Sequence, residues 1–483
     1  MIEIKNVSFS YQGSDKTISV DNLCLSIPKG QVLVLCGESG CGKTTVTRLI
    51  NGLIPNFFKG DLTGEIEVEK EDITKKPLYE IAESTGSVFQ NPRTQFFNVD
   101  TDSELSFACE NMGYPKEEII KRVKDTVENF EIEGLLGKSL FHLSGGEKQM
   151  IACASVSVIA PDIIILDEPS SNLDAKHISA LKEIIKKWKL QGKTIIVSEH
   201  RLYYLIGIAD RFVCLKNGKL AFDLTTDKLL RLKEEKLGKL GLRALTLASL
   251  KPKHLKSESN SSLVLKDFIF SYKRGEECLR IKELCIPKNE IIAVIGNNGS
   301  AKTTFGRCVC GIEKVGTLVD GGQILTHKER LKKCYMVMQD VNHQLFTESV
   351  KDELLIGMKV QDEKEAHEIL TQLSLSDFEQ RHPMSLSGGE KQRVAIATAL
   401  ASDRVTIVFD EPTSGLDYRH MEEVARCILK LKQLGKTVFV ITHDIELIYC
   451  CCSYVLHIED GKVINQYAID ENTNNNLKNF FIV

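Results

Sequence analysis

The sequence predicts two consecutive α/β domains, each built on a parallel β-sheet that carries a phosphate-binding loop. Three observations lead to this prediction. A glycine-rich loop at 37–45 follows the apolar run Val32–Cys36, a related loop at 296–304 follows Ile291–Ile295, and later landmarks repeat at constant spacing. A strand, a glycine-rich loop and a helix in this order favour the binding of a phosphate group.

The first loop reads G-E-S-G-C-G-K-T-T and fits the pattern G-x-x-x-x-G-K-[ST]. Glycines let the backbone turn its N–H groups toward phosphate oxygens, and the helix that follows adds a partial positive charge. Lys43 is expected to reach the β- and γ-phosphates, and the Thr44 hydroxyl to bind Mg²⁺. The residues expected at the nucleotide are Gly37, Ser39, Gly40, Gly42, Lys43, Thr44 and Thr45. A chance glycine turn is the alternative, and the preceding strand and the second copy argue against it.

The second loop departs from the pattern at one position, where Ala301 replaces the last glycine. Its methyl group is expected to lie beside the phosphates. We therefore predict that the site at Lys302 binds ATP more weakly than the site at Lys43. The residues expected at this nucleotide are Gly296, Asn298, Gly299, Ala301, Lys302, Thr303 and Thr304, and Thr303 is expected to bind Mg²⁺.

An internal duplication relates the two halves. Landmark pairs 243 positions apart are Ser144 and Ser387 (387 − 144), Asp167 and Asp410, and His200 and His443. We predict a first domain at 1–228, a connector at 229–261 and a second domain at 262–483. The connector is rich in Lys and Leu and then in Ser and Asn, which indicates a short helix followed by a flexible tether.

Hydrophobic patterns predict the parts of each domain. Alternation over Ile2–Tyr11 and 18–27 indicates antiparallel strands at the start, and the region 101–130 is helical by pattern. After Ser144, apolar strands alternate with helices, which indicates a parallel sheet covered on both faces. The Asn-rich segment 471–476 is expected to be a loosely ordered end.

Composition excludes several classes of protein. Of 483 residues, 42% are hydrophobic and 27% charged, and the net charge of −4 argues against broad nucleic-acid binding. No apolar run approaches a membrane span, and the N-terminus lacks a signal-peptide pattern. We therefore expect a cytosolic protein that reaches a membrane only through a partner. The fifteen cysteines lack metal or disulfide spacing, and Cys450–Cys452 are expected to be small buried residues.

Carboxylate pairs and histidines predict a hydrolytic site in each domain. Asp167 and Asp410 each end an apolar strand and can hold Mg²⁺. The glutamates that follow, Glu168 and Glu411, can orient the water that attacks the γ-phosphate. The catalytic histidines, expected at the γ-phosphate or the water, are His200 and His443.

Both halves contain L-S-G-G-E-K-Q, beginning at Leu143 and Leu386. A serine and two glycines at a helix start offer a second anion site, and serine with glutamate three positions later also forms a capping box. The motif resembles the signature of ATP-binding-cassette (ABC) ATPases. The residues that the resemblance places at ATP are Ser144, Gly145, Gly146, Ser387, Gly388 and Gly389.

This resemblance implies further roles and an architecture. Gln90 and Gln339 are similar to the family's Q-loop glutamines, which contact Mg²⁺ and act in catalysis, and Tyr11 and Tyr272 lie where the family stacks an aromatic ring on adenine. Each domain would combine a parallel-sheet core, an antiparallel β subdomain and a helical subdomain. The two domains would pair head to tail within the chain, with each ATP between one phosphate loop and the other domain's signature.

A narrower resemblance follows each Q-loop glutamine. The segments Phe89–Phe97 and Met338–Phe346 resemble those of energy-coupling-factor (ECF) importers, which take up vitamins or cobalt and nickel ions. The resemblance implies a transmembrane subunit and a membrane substrate-binding subunit as partners, no nucleic acid, and a location at the cytoplasmic face of the membrane. Four apolar residues lie in these segments, which are expected at the surface: Phe96, Phe97, Leu345 and Phe346. Each of them could instead pack into the core of its own domain, but the matching pairs favour a groove, shared by both domains, that receives a helix of the membrane subunit.

Two other functions remain as alternatives. Soluble tandem-cassette ATPases act in translation, but they typically carry a long, highly charged helical linker that this connector lacks. Chromosome-maintenance ATPases need a long coiled coil, and only 99 residues separate Thr45 from Ser144 (144 − 45), without sustained heptads. The transported substrate is not encoded in a recognisable motif of this chain.

Overall fold

The chain forms two compact units, Met1–Leu245 and Thr246–Val483, in a computed structural model. The structure describes residues 2–13, 18–171, 173–253, 261–272 and 276–481. The division falls within the predicted connector 229–261. Its first part belongs to the first unit, where Leu237 and Leu242 join the apolar core, and its Ser/Asn-rich part at 254–260 lies outside the described residues.

The first unit contains two sheets. Its strands are β1 Ile2–Tyr11, β2 Val20–Ile27, β3 Val32–Cys36, β4 Gly60–Val68, β5 Glu71–Asp72, β6 Thr85–Val88, β7 Ile163–Asp167, β8 Thr194–Ser198, β9 Arg211–Lys216 and β10 Lys219–Thr225. One sheet has the order β2-β1-β4-β5 and is antiparallel; the other has the order β10-β9-β3-β8-β7-β6. In the second sheet only β10 pairs in antiparallel fashion. The predicted antiparallel start and parallel core are both confirmed.

Helices cover the parallel sheet and form a separate helical region. They are α1 Lys43–Ile50, α2 Leu53–Asn56, α3 Leu78–Ser84, α4 Thr101–Asn111, α5 Lys116–Phe130, α6 Gly145–Ser157, α7 Ala175–Leu190, α8 Thr226–Leu230 and α9 Glu234–Lys239, with 3₁₀ turns at Ile73–Lys75, Pro92–Thr94, Glu133–Leu135 and Leu140–His142. Every residue of β3, β7 and β8 is buried, because helices pack on both faces. The predicted helical region is confirmed as α4 and α5, with Pro115 before the second helix.

The second unit repeats this plan. Its strands are β11 Ser262–Phe270, β12 Leu279–Pro287, β13 Ile291–Ile295, β14 Thr317–Asp320, β15 Gln323–Leu325, β16 Cys334–Val337, β17 Thr406–Asp410, β18 Thr437–Ile441, β19 Tyr454–Glu459 and β20 Lys462–Ala468. They form sheets of order β12-β11-β14-β15 and β16-β17-β18-β13-β19-β20. The helices are α10 Lys302–Val309, α11 His327–Lys333, α12 Val350–Leu355, α13 Glu363–Gln372, α14 Gly388–Ala401, α15 Tyr418–Gln433, α16 Ile445–Cys451 and α17 Asn474–Phe481, with 3₁₀ turns at Val341–His343, Ser376–Phe378 and Pro383–Ser385.

The C-terminal segment differs from the prediction. Residues 474–481 form α17 rather than a loose end, because Leu477 and Phe481 are buried and anchor the helix to its unit. The asparagines favoured the prediction of a loose end, and the two apolar residues that follow them were not considered. By contrast, the prediction for Cys450–Cys452 is confirmed, since all three are buried with free thiols. No helix among the described residues is both long and apolar enough to cross a bilayer.

Candidate functional site: two nucleotide-binding loops with their hydrolytic residues

The first phosphate loop lies between the central strand β3 and α1, and its glycines are required by its shape. Gly37 and Gly42 have φ angles of +135° and +105°, which disfavour residues with side chains. A Cβ atom at Gly37 would lie 2.3 Å from the carbonyl oxygen of Leu215. The Lys43 ammonium is buried and donates to the carbonyl oxygens of Gly37 and Glu38, both at 3.0 Å. The lysine thus spans the loop that the sequence predicts to surround the phosphates.

The second loop has the same geometry between β13 and α10. Lys302 Nζ donates to the carbonyl oxygens of Gly296 and Asn297, at 2.8 and 2.7 Å. Gly296 again has a positive φ, and a Cβ there would lie 2.0 Å from the carbonyl oxygen of Ile458. Replacement of one glycine by alanine has therefore not changed how the lysine is held.

Ala301 adopts the left-handed conformation at this position, with φ +74° and ψ +22°. Its methyl group packs against the apolar core of the second unit. That the methyl also lies beside bound phosphates stays a prediction. At the corresponding Gly42, a Cβ would instead lie 2.5 Å from the carbonyl oxygen of Ser19. The two loops differ in what surrounds this position, and weaker ATP binding at the second site stays a prediction.

The aspartates at the ends of β7 and β17 meet the hydroxyl groups that follow the lysines. Thr44 Oγ1 donates to Asp167 Oδ1 at 3.3 Å, and Thr303 Oγ1 donates to Asp410 Oδ2 at 2.8 Å. Burial raises the pKa of Asp410 from its usual value to about 6. Burial, and then the neighbouring Glu168 charge, also raise the pKa of Asp167. A hydroxyl and a carboxylate in contact are oxygen donors of the kind that Mg²⁺ prefers, so both pairs fit this ion.

In the first unit, three predicted catalytic residues converge. Gln90 Nε2 donates to Glu168 Oε2 at 2.7 Å, and His200 Nε2 lies 3.3 Å from Glu168 Oε1. Burial acts to raise the pKa of Glu168, but the combined effects of His200, the Lys43 charge and the Gln90 hydrogen bond lower it. Glu168 also has a φ of +46°, an uncommon conformation held by its N–H bond to the Ser198 carbonyl oxygen at 2.8 Å.

The second unit repeats the backbone strain, and its histidine reaches the phosphate loop. Glu411 has a φ of +51°, and its N–H donates to the Ile441 carbonyl oxygen at 2.9 Å. His443 Nε2 lies 3.6 Å from Glu411 Oε1 and 3.1 Å from Asn298 Oδ1 of the phosphate loop. Gln339 follows β16 and is exposed. The second histidine therefore contacts both the loop and the glutamate.

The two signature sequences begin helices α6 and α14 with complete capping boxes. Ser144 Oγ accepts the N–H of Glu147 at 3.3 Å, while Glu147 Oε2 accepts the N–H of Ser144 at 2.7 Å. Ser387 and Glu390 repeat this exchange at 3.4 and 2.7 Å. The glycines that follow the serines, Gly145, Gly146, Gly388 and Gly389, occupy the first turns of the two helices. Both interpretations of the motif, helix cap and anion site, are compatible with this geometry.

A protein-family comparison matches this arrangement. Residues 20–171 and 279–414 match the model of the family described as ABC transporter. The chain belongs to the ABC transporter family. It is an ATPase of that family, whose members bind ATP, generally with Mg²⁺. The predicted fold class of two ABC ATPase cassettes is confirmed.

Relatives of this ABC ATPase share nearly its full length. A "Putative ABC transporter ATP-binding protein" of Treponema denticola is 46% identical over 477 residues, covering 96% of this chain and 97% of the relative. The "Putative HMP/thiamine import ATP-binding protein YkoD" of Bacillus subtilis is 31% identical over 498 residues, covering 95% and 90%. Among solved structures, archaeal ABCE1 bound to the ribosome with Pelota superimposes with a TM-score of 0.70 at 22% identity, covering 98% and 80%. At that identity the likeness shows the fold alone.

The tyrosines predicted to stack on adenine differ between the two cassettes. Tyr11 hydroxyl lies 3.2 Å from Thr45 Oγ1 and accepts from Arg48 Nη1 at 3.0 Å, while its ring packs edge-on against Phe58. The hydroxyl of Tyr272 lies 3.2 Å from Thr304 Oγ1, but its side chain is 63% exposed. The hydroxyl contact with the phosphate loop was not predicted, although its repetition shows that it belongs to both cassettes.

Arg48 is one residue that sequence reasoning missed, because its counterpart has a different partner. Arg48 lies 3.9 Å from the Phe58 ring centroid, beside the predicted adenine position. The corresponding Arg307 forms an ion pair with Glu313 at 2.7 Å, and within the described ranges no aromatic ring lies against its guanidinium group. A comparison of the residues that follow the repeated tyrosines Tyr11 and Tyr272 in the two halves could have revealed this difference.

The apolar pairs after the Q-loop glutamines divide into one inward and one outward residue. Phe97 and Phe346 are 78% and 72% exposed. Phe96 is half-buried against the first core and Leu345 is buried, so these two residues follow the core alternative. The outward pair, Phe97 and Phe346, is the part of the prediction that the structure confirms.

Both outward residues are held by the same backbone contacts. Buried Glu104 accepts the N–H of Phe97 at 3.1 Å, and buried Glu353 accepts the N–H of Phe346 at 3.1 Å. Each glutamate also accepts the next N–H along the chain, at 2.9 and 3.1 Å. In each cassette, therefore, one buried carboxylate fixes the backbone of an exposed phenylalanine.

Proposed function

We propose that this ABC ATPase is the ATP-hydrolysing subunit of a membrane importer of the ECF type. The observation that carries the proposal is the matched presentation of Phe97 and Phe346, immediately after the Q-loop of each cassette. An exposed aromatic residue on a rigid backbone is a suitable anchor for a helix that docks into a groove. The name of the Bacillus subtilis relative, which refers to HMP and thiamine import, supports uptake of a vitamin or its precursor.

The two ATP sites in this proposal are composite. The loop Gly37–Thr45 would act with the signature at Ser387, and the loop Gly296–Thr304 with the signature at Ser144. The support lies in the two capped helices α6 and α14, because the N-terminal end of a helix favours an anion. Tyr11 and Tyr272 would contact adenine at the first and second loops.

The chain's own residues would divide the hydrolytic work between them. Glu168 and Glu411 would accept a hydrogen bond from the attacking water, and His200 and His443 would hold that glutamate and the γ-phosphate in place. A Mg²⁺ ion would neutralise charge on the phosphates. The residues that would hold the ion are Thr44, Asp167 and Gln90 in the first cassette and Thr303, Asp410 and Gln339 in the second. Both aspartates are buried, and a cation beside them would offset the cost of burying their charge.

The experiment replaces the two exposed anchors. In Phe97→Ser with Phe346→Ser, we expect ATPase activity of the isolated protein to persist, while association with the membrane subunits and substrate uptake are lost. Phe96→Ser is the matched control, because its half-buried ring packs on the core and its loss should lower stability instead. Normal association and uptake in the double variant would contradict the importer proposal.

The translation-associated alternative makes a different prediction. Its partner is a ribosome, so the wild-type protein should co-sediment with ribosomes. The protein should then be absent from membrane fractions. The likeness to ABCE1 shows a shared fold and does not by itself favour that role. The proposal includes the membrane subunits as partners, a location at the cytoplasmic face of the membrane and uptake of a vitamin or its precursor. The association and uptake measurements on the double variant test it.

A further inference from the structure

The β19–β20 hairpin, whose first strand lies beside the central strand β13, supports the second phosphate loop through backbone contacts. Gly296 lies directly against the Ile458 carbonyl, and Gly461 in the β19–β20 turn donates its N–H to the Ser300 carbonyl oxygen at 3.3 Å. The first cassette has the same backbone support, with Gly218 donating to the Cys41 carbonyl oxygen at 3.2 Å. The hairpin is therefore a shared part of both loops.

Glu459, the last residue of β19, adds a side-chain contact in the second cassette. Its Oε1 accepts the N–H of Asn297, the second residue of the loop, at 2.8 Å. The carbonyl oxygen of Asn297 in turn accepts the Lys302 ammonium at 2.7 Å. One carboxylate therefore holds the residue that holds the lysine.

Helix α17 holds this carboxylate from the other side. His457 Nε2 lies 3.2 Å from the same Glu459 oxygen, and the Phe480 ring meets the His457 ring edge-on with centroids 4.9 Å apart. Leu477 and Phe481 anchor the helix, with 0% and 5% of their surfaces exposed. A continuous set of contacts thus runs from the C-terminal helix to the phosphate loop.

The first cassette builds this region from different side chains. Cys214 and Lys216 stand 243 positions before His457 and Glu459, and Lys216 is exposed. The loop residue that corresponds to Asn297 is Glu38, whose side chain lies against Gly241; a Cβ there would be 2.3 Å from Glu38 Cγ. The two phosphate loops share their backbone support but differ in the side chains behind them.

We propose that Glu459 is a positioning residue for the phosphate loop at Lys302, and that α17 keeps it in place through Phe480 and His457. The proposal rests on the proposed role of Gly296–Thr304 as a nucleotide site. A loop that is already held in shape loses less conformational entropy when it binds its ligand. Loss of this contact should therefore weaken ATP binding at the second site and leave the first site unchanged.

The test uses the full chain with one site disabled at a time. In a Lys43→Ala background, binding of Mg-ATP by calorimetry reports the second site. Glu459→Ala is expected to raise its Kd about tenfold, which corresponds to about 1.4 kcal/mol for a lost charge-assisted hydrogen bond. Glu459→Gln keeps an acceptor oxygen and should recover most of this loss. Phe480→Ala, which releases His457, should shift Kd in the same direction.

Matched controls use the first site. In a Lys302→Ala background, both Glu459→Ala and Lys216→Ala should leave the Kd of the remaining site unchanged. Tighter binding in both Glu459 variants would mean that the carboxylate acts by repelling phosphate, which would overturn the proposal, as would unchanged binding. If Glu459→Ala fails to fold, Phe480→Ala decides: a raised Kd at the second site supports the positioning role, and an unchanged Kd overturns it.

A further arm separates this proposal from the one on which it rests. Adding Lys302→Ala to Lys43→Ala should abolish the remaining binding. If binding persists, the assignment of the second nucleotide site fails. If it is abolished while Glu459→Ala and Phe480→Ala bind normally, only the positioning role fails.

Discussion

The two phosphate loops should respond in opposite ways to the exchange of a single methyl group. Gly42→Ala would place a Cβ atom 2.5 Å from the Ser19 carbonyl oxygen, at a φ of +105°. Ala301 already has its methyl against the core, at a φ of +74°. We therefore expect Gly42→Ala to damage the first site and Ala301→Gly to be tolerated at the second.

The magnitudes follow from these contacts. At Gly42, left-handed strain costs an alanine about 1 kcal/mol, and a contact with backbone adds about 2 kcal/mol because no side-chain rotation relieves it. If the loop carries this strain, ATP affinity at the first site falls by about two orders of magnitude. At Ala301, removing strain of about 1 kcal/mol nearly offsets the loss of one buried methyl, about 0.8 kcal/mol. The second site should then change its affinity by less than about fivefold.

The assay is Mg-ATP titration with one site disabled. Gly42→Ala is measured with Lys302→Ala, and Ala301→Gly with Lys43→Ala. Fluorescence of Trp188, the only tryptophan, reports whether the first unit remains folded. Near-normal affinity in Gly42→Ala, or a change of more than tenfold in Ala301→Gly, would refute the steric reasoning.

Two further predictions concern buried glutamates. Glu168→Gln and Glu411→Gln should each retain ATP binding and lower turnover at their own site by about 10²-fold or more, because the water-orienting carboxylate is lost; wild-type hydrolysis in the double variant would contradict their assignment. Glu199 is buried and accepts four hydrogen bonds at 2.7–3.3 Å, so Glu199→Ala should destabilise the first unit by about 3 kcal/mol. The control is Thr442→Ala at the corresponding position, which loses one hydrogen bond to a hydroxyl and should destabilise the second unit by about 1 kcal/mol. Urea unfolding followed by Trp188 fluorescence measures the effect of Glu199→Ala on the first unit.

Much of the candidate site could be predicted because its residues are close along the chain and repeated. The loop at 37–45, the Asp167–Glu168 pair and the signature at Ser144 each combine a local backbone shape with a local chemical group. The 243-residue spacing then identified the counterparts of the Asp167–Glu168 pair and of the signature, while the second loop was identified by its own pattern after an apolar strand. Patterns of this length depend on strand burial and helix capping, which neighbouring residues decide.

Several features could not be predicted because they depend on what a side chain meets from a distant segment. The direction of the Ala301 methyl depends on the packed core, and the burial of Leu345 depends on the helices beside it. Phe97 and Phe346 look equivalent to Phe96 in the sequence, although only the first two are strongly exposed. The formation of α17 likewise depends on burial of Leu477 and Phe481 against distant residues of the second unit, which the asparagine-rich segment does not reveal.

The sequence by itself determined that this chain carries two duplicated ATPase cassettes with two glycine-rich loops, two Asp-Glu pairs after apolar strands and two capped signature helices. Tertiary structure alone decided how each loop is supported: Glu459, His457 and Phe480 meet at the second loop, while Gly241 lies against Glu38 at the first. The physical reason is distance along the chain. Local backbone shape follows from neighbouring residues, whereas support for a loop comes from strands and helices that reach it only after the chain has folded.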